Sequence, residues 1–248
     1  MQFARLISEF PHETKRAVIG ILGGGGKTTL WHKLGQEFSK RPSKVILTSL
    51  TRSGYSDDYD VQFYSRVIDE IKEQEVFKPN PLYIMGEMEN EEKLIGIKAA
   101  QLQQLKRIAD FTIFECDGAR NRPIKAHQPH DPELPDFTTH AIIVVGADAV
   151  GARVDGKLVH RPELFRELWD VNANYQLEPS FIARILTSHY GYLQKVPAGV
   201  SLSYLVNKAD AFPDAAQNLA MALSKLTRAP IFSGSLENNT LNKFLTNS

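Results

Sequence analysis

The feature that most limits how this chain can fold is the run Val18-Ile19-Gly20-Ile21-Leu22-Gly23-Gly24-Gly25-Gly26-Lys27-Thr28-Thr29, where an apolar segment passes through four consecutive glycines into a helix-like stretch. Glycine alone lets successive backbone N–H groups turn toward one point with no side chain in the way. A helix starting there adds the partial positive charge of its N-terminus, Lys27 adds a full charge, and Thr28 adds a hydroxyl suited to Mg²⁺. The run predicts a strand, a phosphate-cradling loop over Gly23, Gly24, Gly25, Gly26, Lys27, Thr28 and Thr29, and a long helix behind it. One position departs from the pattern G-x-x-x-x-G-K-[ST]: Ile21 stands where the first glycine belongs, and Gly20 comes one residue too early. The loop is therefore expected to differ in shape from the common form while serving the same end.

Short apolar runs and helix-like stretches alternate along the rest of the chain, which predicts an α/β fold, a mainly parallel sheet with helices on both faces, of the P-loop NTPase-like kind. The strand candidates are Ala17–Leu22, Lys44–Leu50, Leu82–Met85, Phe111–Cys116, Ala141–Val145, Ser203–Val206 and Pro230–Phe232; several are unbroken apolar runs, as strands covered on both faces should be. The helix candidates are Thr28–Ser39, Glu91–Ala109, Glu163–Leu168, Glu178–His189 and Pro213–Leu226, with Pro179 and Pro213 placed where a helix start tolerates proline. Residues 51–60 and the proline-rich 121–136 read as irregular loops within one nucleotide-binding domain spanning residues 1–248.

A phosphate loop of this type works with an acidic residue at the end of a neighbouring strand, which holds Mg²⁺. The stretch Phe111 to Arg120 offers Asp117, just past the apolar run, as first choice and Glu115 as second. Lys27 and Asp117 are thus the expected catalytic pair, and Thr28 and Asp117 the expected metal ligands. Farther on, Asn207-Lys208-Ala209-Asp210 has the N-K-x-D pattern with which many GTPases recognise guanine. A carboxylate at Asp210 can accept from both N1–H and the exocyclic amine of guanine, and adenine offers no such pair. Ser233-Gly234-Ser235, after the next strand, is where a second base-contacting loop is expected.

Arg120, Arg122, Lys125, His127, His130, His160 and Arg161 form two basic segments in or beside irregular chain. If both fold over the glycine loop, Arg120, Lys125, His130, His160 and Arg161 make a positive pocket for a second phosphorylated or anionic ligand. His127 and His130 alone lack a third metal ligand of recognisable spacing, and the one cysteine, Cys116, reads as a small core residue.

Charge and hydropathy exclude several classes. Twenty-nine basic residues balance twenty-nine acidic ones, so there is no global positive field to hold nucleic acid or an anionic membrane. No stretch reaches the roughly 18 consecutive apolar residues of a membrane span, the first sixteen residues lack a signal-peptide core, and one cysteine cannot form an internal disulfide. The expectation is a cytoplasmic protein that binds neither nucleic acid nor membrane.

With these residues in place, the sequence resembles the YqeC-like family, named for accessory roles to selenium-dependent molybdenum hydroxylases. The resemblance is carried by the phosphate loop, Glu115-Cys116-Asp117-Gly118-Ala119-Arg120, Pro123-Ile124-Lys125-Ala126 with His130, Val159-His160-Arg161-Pro162-Glu163, and Asn207 to Asp210. Two residues depart from the family pattern, Cys116 where alanine is expected and His127 where proline is expected. The resemblance implies a P-loop protein serving a molybdenum hydroxylase or its cofactor, with selenium as part of that context. Two modes of action are expected from GTP or ATP with Mg²⁺: NTP hydrolysis or transfer, with Thr48 and Thr51 nearest to position a water, or a nucleotide-gated switch whose two irregular loops control docking to the target enzyme.

Overall fold

The computed structural model describes residues 2–7, 16–55, 60–72, 74–75, 77–131 and 133–244. A 3-10 turn (Phe3–Leu6) precedes β1 (Ala17–Gly23), α1 (Lys27–Ser39), β2 (Val45–Ser49), β3 (Ser53–Gly54), β4 (Val61–Phe63), α2 (Tyr64–Lys72) and β5 (Leu82–Met85). There follow β6 (Glu87–Asn90), β7 (Lys93–Ile95), α3 (Ala99–Leu105), β8 (Phe111–Glu115), β9 (Ile124–Lys125) and β10 (His140–Gly146). The remainder is β11 (Val159–His160), α4 (Pro162–Trp169), α5 (Pro179–Leu186), β12 (Ser201–Asn207), α6 (Pro213–Ser224), β13 (Ile231–Ser235) and β14 (Thr240–Lys243).

The described residues form a nine-stranded sheet in the order β14-β13-β12-β10-β1-β8-β2-β5-β4. All neighbouring strands are parallel except β14, which runs antiparallel to β13. The apolar runs of β1 and β10 are buried at every residue, as both faces of a parallel sheet must be. Alternation sorts their side chains: Ile19 and Ile21 pack with Leu30, Trp31 and Leu34 of α1, whereas Val18 and Leu22 belong to the opposite layer with α3, α5 and α6. The fold is the α/β sheet with helices on both faces that the alternating pattern predicts.

Register decides where a ligand can sit. Ile21 lies beside Glu115, Glu115 beside Ser49, Gly23 beside Val144, and Gly146 beside Asn207. The loops leaving β1, β2, β8, β10 and β12 therefore open at one edge, the carboxyl end where open α/β sheets bind ligands.

Several elements differ from expectation. The proposed helix over Glu91–Ala109 is a helix only at Ala99–Leu105; the chain before it is a β6–β7 hairpin with β3 added, an antiparallel three-stranded sheet. Asn90 explains the reversal, since its side-chain oxygen accepts the Glu92 N–H at 3.0 Å and closes a turn that competes with helix. Gly96 then packs so closely on the backbone of Ser49 that an added Cβ would lie 2.5 Å from the Ser49 carbonyl, an approach only glycine permits. Helix α2 escapes the reading although Tyr64, Val67, Ile68 and Ile71 carry helical spacing. The irregular stretches contain β3 and β9, and residues 56–59 and Pro132 lie outside the described residues. Among the described residues no helix is long and apolar enough to cross a membrane.

Candidate functional site at the glycine loop

Strand β1 continues to Gly23 and α1 begins at Lys27, so the turn between them is short. Ile21 is interior strand, buried and paired with Ile142 and Glu115, which is why the first glycine of the longer pattern is missing. Gly26 has φ 131°, and a Cβ there would sit 2.5 Å from Asn207 Nδ2; Gly25 has φ 76°, and a Cβ would meet the Gly146 amide at 2.4 Å. Only glycine lets the loop lie this close on the ends of β10 and β12.

The loop amides divide into two groups. Gly23 N–H donates to the Asp117 carboxylate at 3.1 Å, Gly24 N–H to the Val144 carbonyl at 2.9 Å, and Gly25 N–H to the Arg122 carbonyl at 2.9 Å. Those three fix the loop in place. The helical ladder opens with Leu30 N–H to the Gly26 carbonyl at 3.0 Å. The amides of Gly26, Lys27, Thr28 and Thr29 thus precede the ladder and have no intrahelical acceptor, at the positive end of α1. Lys27 is 6% exposed, donates from Nζ to the Gly23 carbonyl at 2.7 Å and lies 3.4 Å from Asp117.

Asp117 lies beneath this loop, fully buried, in contact with Lys125 Nζ at 3.2 Å and His127 Nε2 at 2.7 Å as well as with Gly23 and Lys27. Burial alone would raise its pKa, but Lys27, Lys125 and His127 outweigh it and hold the carboxyl far below its usual range. Burial pushes the Lys125 pKa down, against the pull of Asp117 and Asp131, and likewise lowers that of His127. An ionised carboxylate only accepts, so a neutral His127 carries its proton on Nε2. Tyr192 braces the group: its hydroxyl accepts the Lys125 N–H at 3.1 Å, and its ring meets His127 edge-on.

The carboxylate that reaches Thr28 is Glu115. Thr28 Oγ1 donates to Glu115 Oε1 at 2.6 Å, and burial raises the Glu115 pKa against the opposing influence of Lys27 and Thr28. A hydroxyl and a carboxylate oxygen side by side at the start of α1 are the hard oxygen donors that Mg²⁺ takes.

Asn207 ties the loop to the far side of the sheet: Nδ2 donates to the Gly25 carbonyl at 2.7 Å and Oδ1 accepts the Leu236 N–H at 2.9 Å. Lys208, with φ 67°, pairs with Asp148 at 2.6 Å, and Asp210 is exposed and accepts from Asn238 at 2.8 Å. Ser233-Gly234-Ser235 belongs to β13, and the turn that meets Asn207 and Asp210 begins at Leu236.

On the other side of the loop a cleft of roughly 1310 Å³ is lined by Lys27, Thr28 and Glu115 and by Arg120, His130, His160 and Arg161. The short β9–β11 pairing brings the two basic segments together, Lys125 beside His160. Lys125 is buried below the cleft on Asp117 and Asp131, while Arg161 binds Asp131. Asp131 stands in the His127 to Asp131 run, but its pairing with Lys125 and Arg161 is not marked by spacing, and neither is Tyr192, whose partner Lys125 is 67 residues away. His127 is shut in on Asp117 while His130 is exposed. Thr48 is fully buried and its hydroxyl has no partner among the described residues.

A central parallel strand, a tight glycine turn and an anion-facing helix start are what define a P-loop-type α/β protein. The sequence model of the YqeC protein family matches residues 19–163, and the chain belongs to that family. The match takes in the glycine loop, Glu115, Asp117 and both basic segments, and ends before Asn207. An uncharacterized YqeC protein of Escherichia coli (strain K12) is 23% identical over 205 residues, covering 82% of this chain and 80% of that protein. The crystal structure of HypB from Helicobacter pylori in complex with nickel aligns with a TM-score of 0.39 and 13% identity over 95% of this chain and 83% of that one, a likeness too loose to carry an argument.

Proposed function

We propose that this chain binds a purine nucleoside triphosphate with Mg²⁺ and acts as an NTPase or as a phosphoryl- or nucleotidyl-transfer factor in the maturation of a molybdenum hydroxylase. The observation that carries the reading is the set of four amides, Gly26 to Thr29, standing ahead of the α1 ladder, with the Lys27 ammonium on the Gly23 carbonyl of the same loop. In this reading those amides and Lys27 hold the phosphates and stabilise charge that develops on the transferred group. Thr28 and Glu115 hold Mg²⁺, which neutralises phosphate charge when bound, and Asp117 keeps Gly23, Lys27 and Lys125 in place from below. The hydroxylase context comes from the family resemblance alone.

Asp210 gives the base preference. It is exposed and, among the described residues, its side chain is tied to that of Asn238 alone, an exchangeable partner for a guanine edge. Asp210→Ala is expected to weaken GTP binding roughly tenfold to a hundredfold and leave ATP within about twofold, since hydrogen bonds to a charged acceptor contribute about 1.5–3 kcal/mol. Competition titration of the two nucleotides reads it, and an equal loss for both removes the guanine assignment. Glu115→Gln is expected to raise the Mg²⁺ concentration needed for half-maximal nucleotide binding about tenfold or more; an unchanged Mg²⁺ titration moves the metal away from Glu115.

A further inference from the structure

The cleft beside the glycine loop is on the wrong side for the base. Asn207, Lys208 and Asp210 leave β12, two strands from β1 across β10, whereas the cleft is built from the ends of β1, β2 and β8 and from the β9–β11 pair, and does not include the three base-motif residues. At roughly 1310 Å³ it also exceeds the volume of most small-ligand pockets, about 300–1,000 Å³. A nucleotide whose base reaches toward β12 places its terminal phosphate at the mouth of this cleft and leaves most of it to something else.

The lining says what that is. His160 is 9% exposed; its carbonyl accepts the Ala126 N–H at 3.1 Å, and its imidazole makes no hydrogen bond among the described residues. The charges that act on it most strongly are those of Lys125, Arg161, Arg120 and Arg122; burial first and these cations next bring its pKa down to about 4, while Asp131, Asp155 and Glu163 also line the cleft and Asp131 is taken up by Lys125 and Arg161. Arg120 is exposed and has no ion pair among the described residues, and Arg122 uses only Nε, on the Gly156 carbonyl at 2.7 Å. The backbone is held in a disfavoured state at the same place: Arg120, Asn121 and Arg161 have φ of 47°, 60° and 59°, left-handed conformations that non-glycine residues adopt where the surrounding structure imposes them. Forked guanidinium groups around an imidazole whose strongest charged neighbours are cations fit a tetrahedral oxyanion.

We propose that this cleft binds a second phosphate-class anion, borne by a small acceptor molecule, next to the terminal phosphate of the bound nucleotide. Its placement beside that phosphate rests on the nucleotide reading; the anion site itself stands on the cleft. Two sources share the chemistry, a phosphorylated acceptor and a free oxyanion, and inorganic phosphate probes what they have in common.

The test is NMR of the full chain, with the His160 imidazole assigned by loss of its signal in His160→Gln, titrated with inorganic phosphate. Bound phosphate adds a negative charge beside the imidazole, so the His160 pKa should rise by about one pH unit or more. The rise should persist in Lys27→Ala and with nucleotide bound, and Arg120→Ala should weaken phosphate about tenfold while leaving GTP affinity unchanged. A response lost in Lys27→Ala places the anion on the glycine loop and overturns the proposal, as does a His160 pKa that does not move at saturating phosphate. A response that persists in a protein that binds no nucleotide overturns only the nucleotide reading. A phosphorylated acceptor should then compete with phosphate at lower concentration than free oxyanions do, and the converse ranking assigns the site to a free oxyanion.

Discussion

Lys27→Ala is expected to leave no measurable heat when Mg²⁺ and GTP or ATP are titrated into the protein. Lys27 begins α1, and its ammonium rests on the Gly23 carbonyl at 2.7 Å and lies 3.4 Å from Asp117; on the proposed function it supplies a full positive charge to the phosphates bound at the Gly26–Thr29 amides. Losing a charge-assisted contact to a multiply charged ligand costs at least about a hundredfold in affinity. The fold should survive, because the substitution leaves Asp117 with Lys125, His127 and the Gly23 amide. If the proposed function holds, the same variant should fail in cells to support a molybdenum hydroxylase. Wild-type affinity in Lys27→Ala would end the phosphate-loop reading, and full hydroxylase activity in such cells would detach the chain from that enzyme.

Asp117→Asn is the substitution with the largest expected effect on stability. It removes the negative charge between Lys27 and Lys125, both nearly or wholly enclosed, and leaves two buried cations with a neutral amide. Breaking a buried pair from one side costs about 3–5 kcal/mol. For a chain of this length that lowers Tm by roughly 6–20 °C. The sign of the pH dependence follows from the depressed pKa: the stability Asp117 contributes is complete above the ordinary aspartate value of about 3.9 and is lost as pH falls below it toward the folded value. Thermal melts between pH 3 and pH 7 should therefore show a steeper acid decline in the wild type than in Asp117→Asn. A variant melting within about 2 °C of the wild type at pH 7 would show the ion cluster to be energetically idle.

The sheet was legible because its strands are buried on both faces, and runs such as Ile142-Ile143-Val144-Val145 admit few other readings. The glycine loop was legible for a related reason, since four glycines before a Lys-Thr pair have little purpose except close backbone approach. The hairpin at Glu87–Ile95 was not, because a charged surface stretch carries no period and Asn90 decides the turn locally. The division of labour between Glu115 and Asp117 was hidden for a different reason. They lie two residues apart at the end of β8, and only the folded register shows that Glu115 meets Thr28 while Asp117 turns beneath Gly23. His127, a departure from the family pattern, proves to be the shortest side-chain contact of Asp117. Such a partnership depends on two loops meeting, and one-dimensional spacing does not record it.

The central claim is that the start of α1 holds the phosphates of a Mg²⁺–purine nucleotide. Calorimetric titration of the wild-type protein with GTP, ATP and unphosphorylated guanosine, each with Mg²⁺ and again with the metal chelated, tests it most directly. The account predicts binding of both triphosphates, GTP the tighter, with guanosine weaker by at least about a hundredfold and chelation lowering triphosphate affinity. Absence of binding by either triphosphate in the presence of Mg²⁺, or guanosine binding as tightly as GTP, would contradict it.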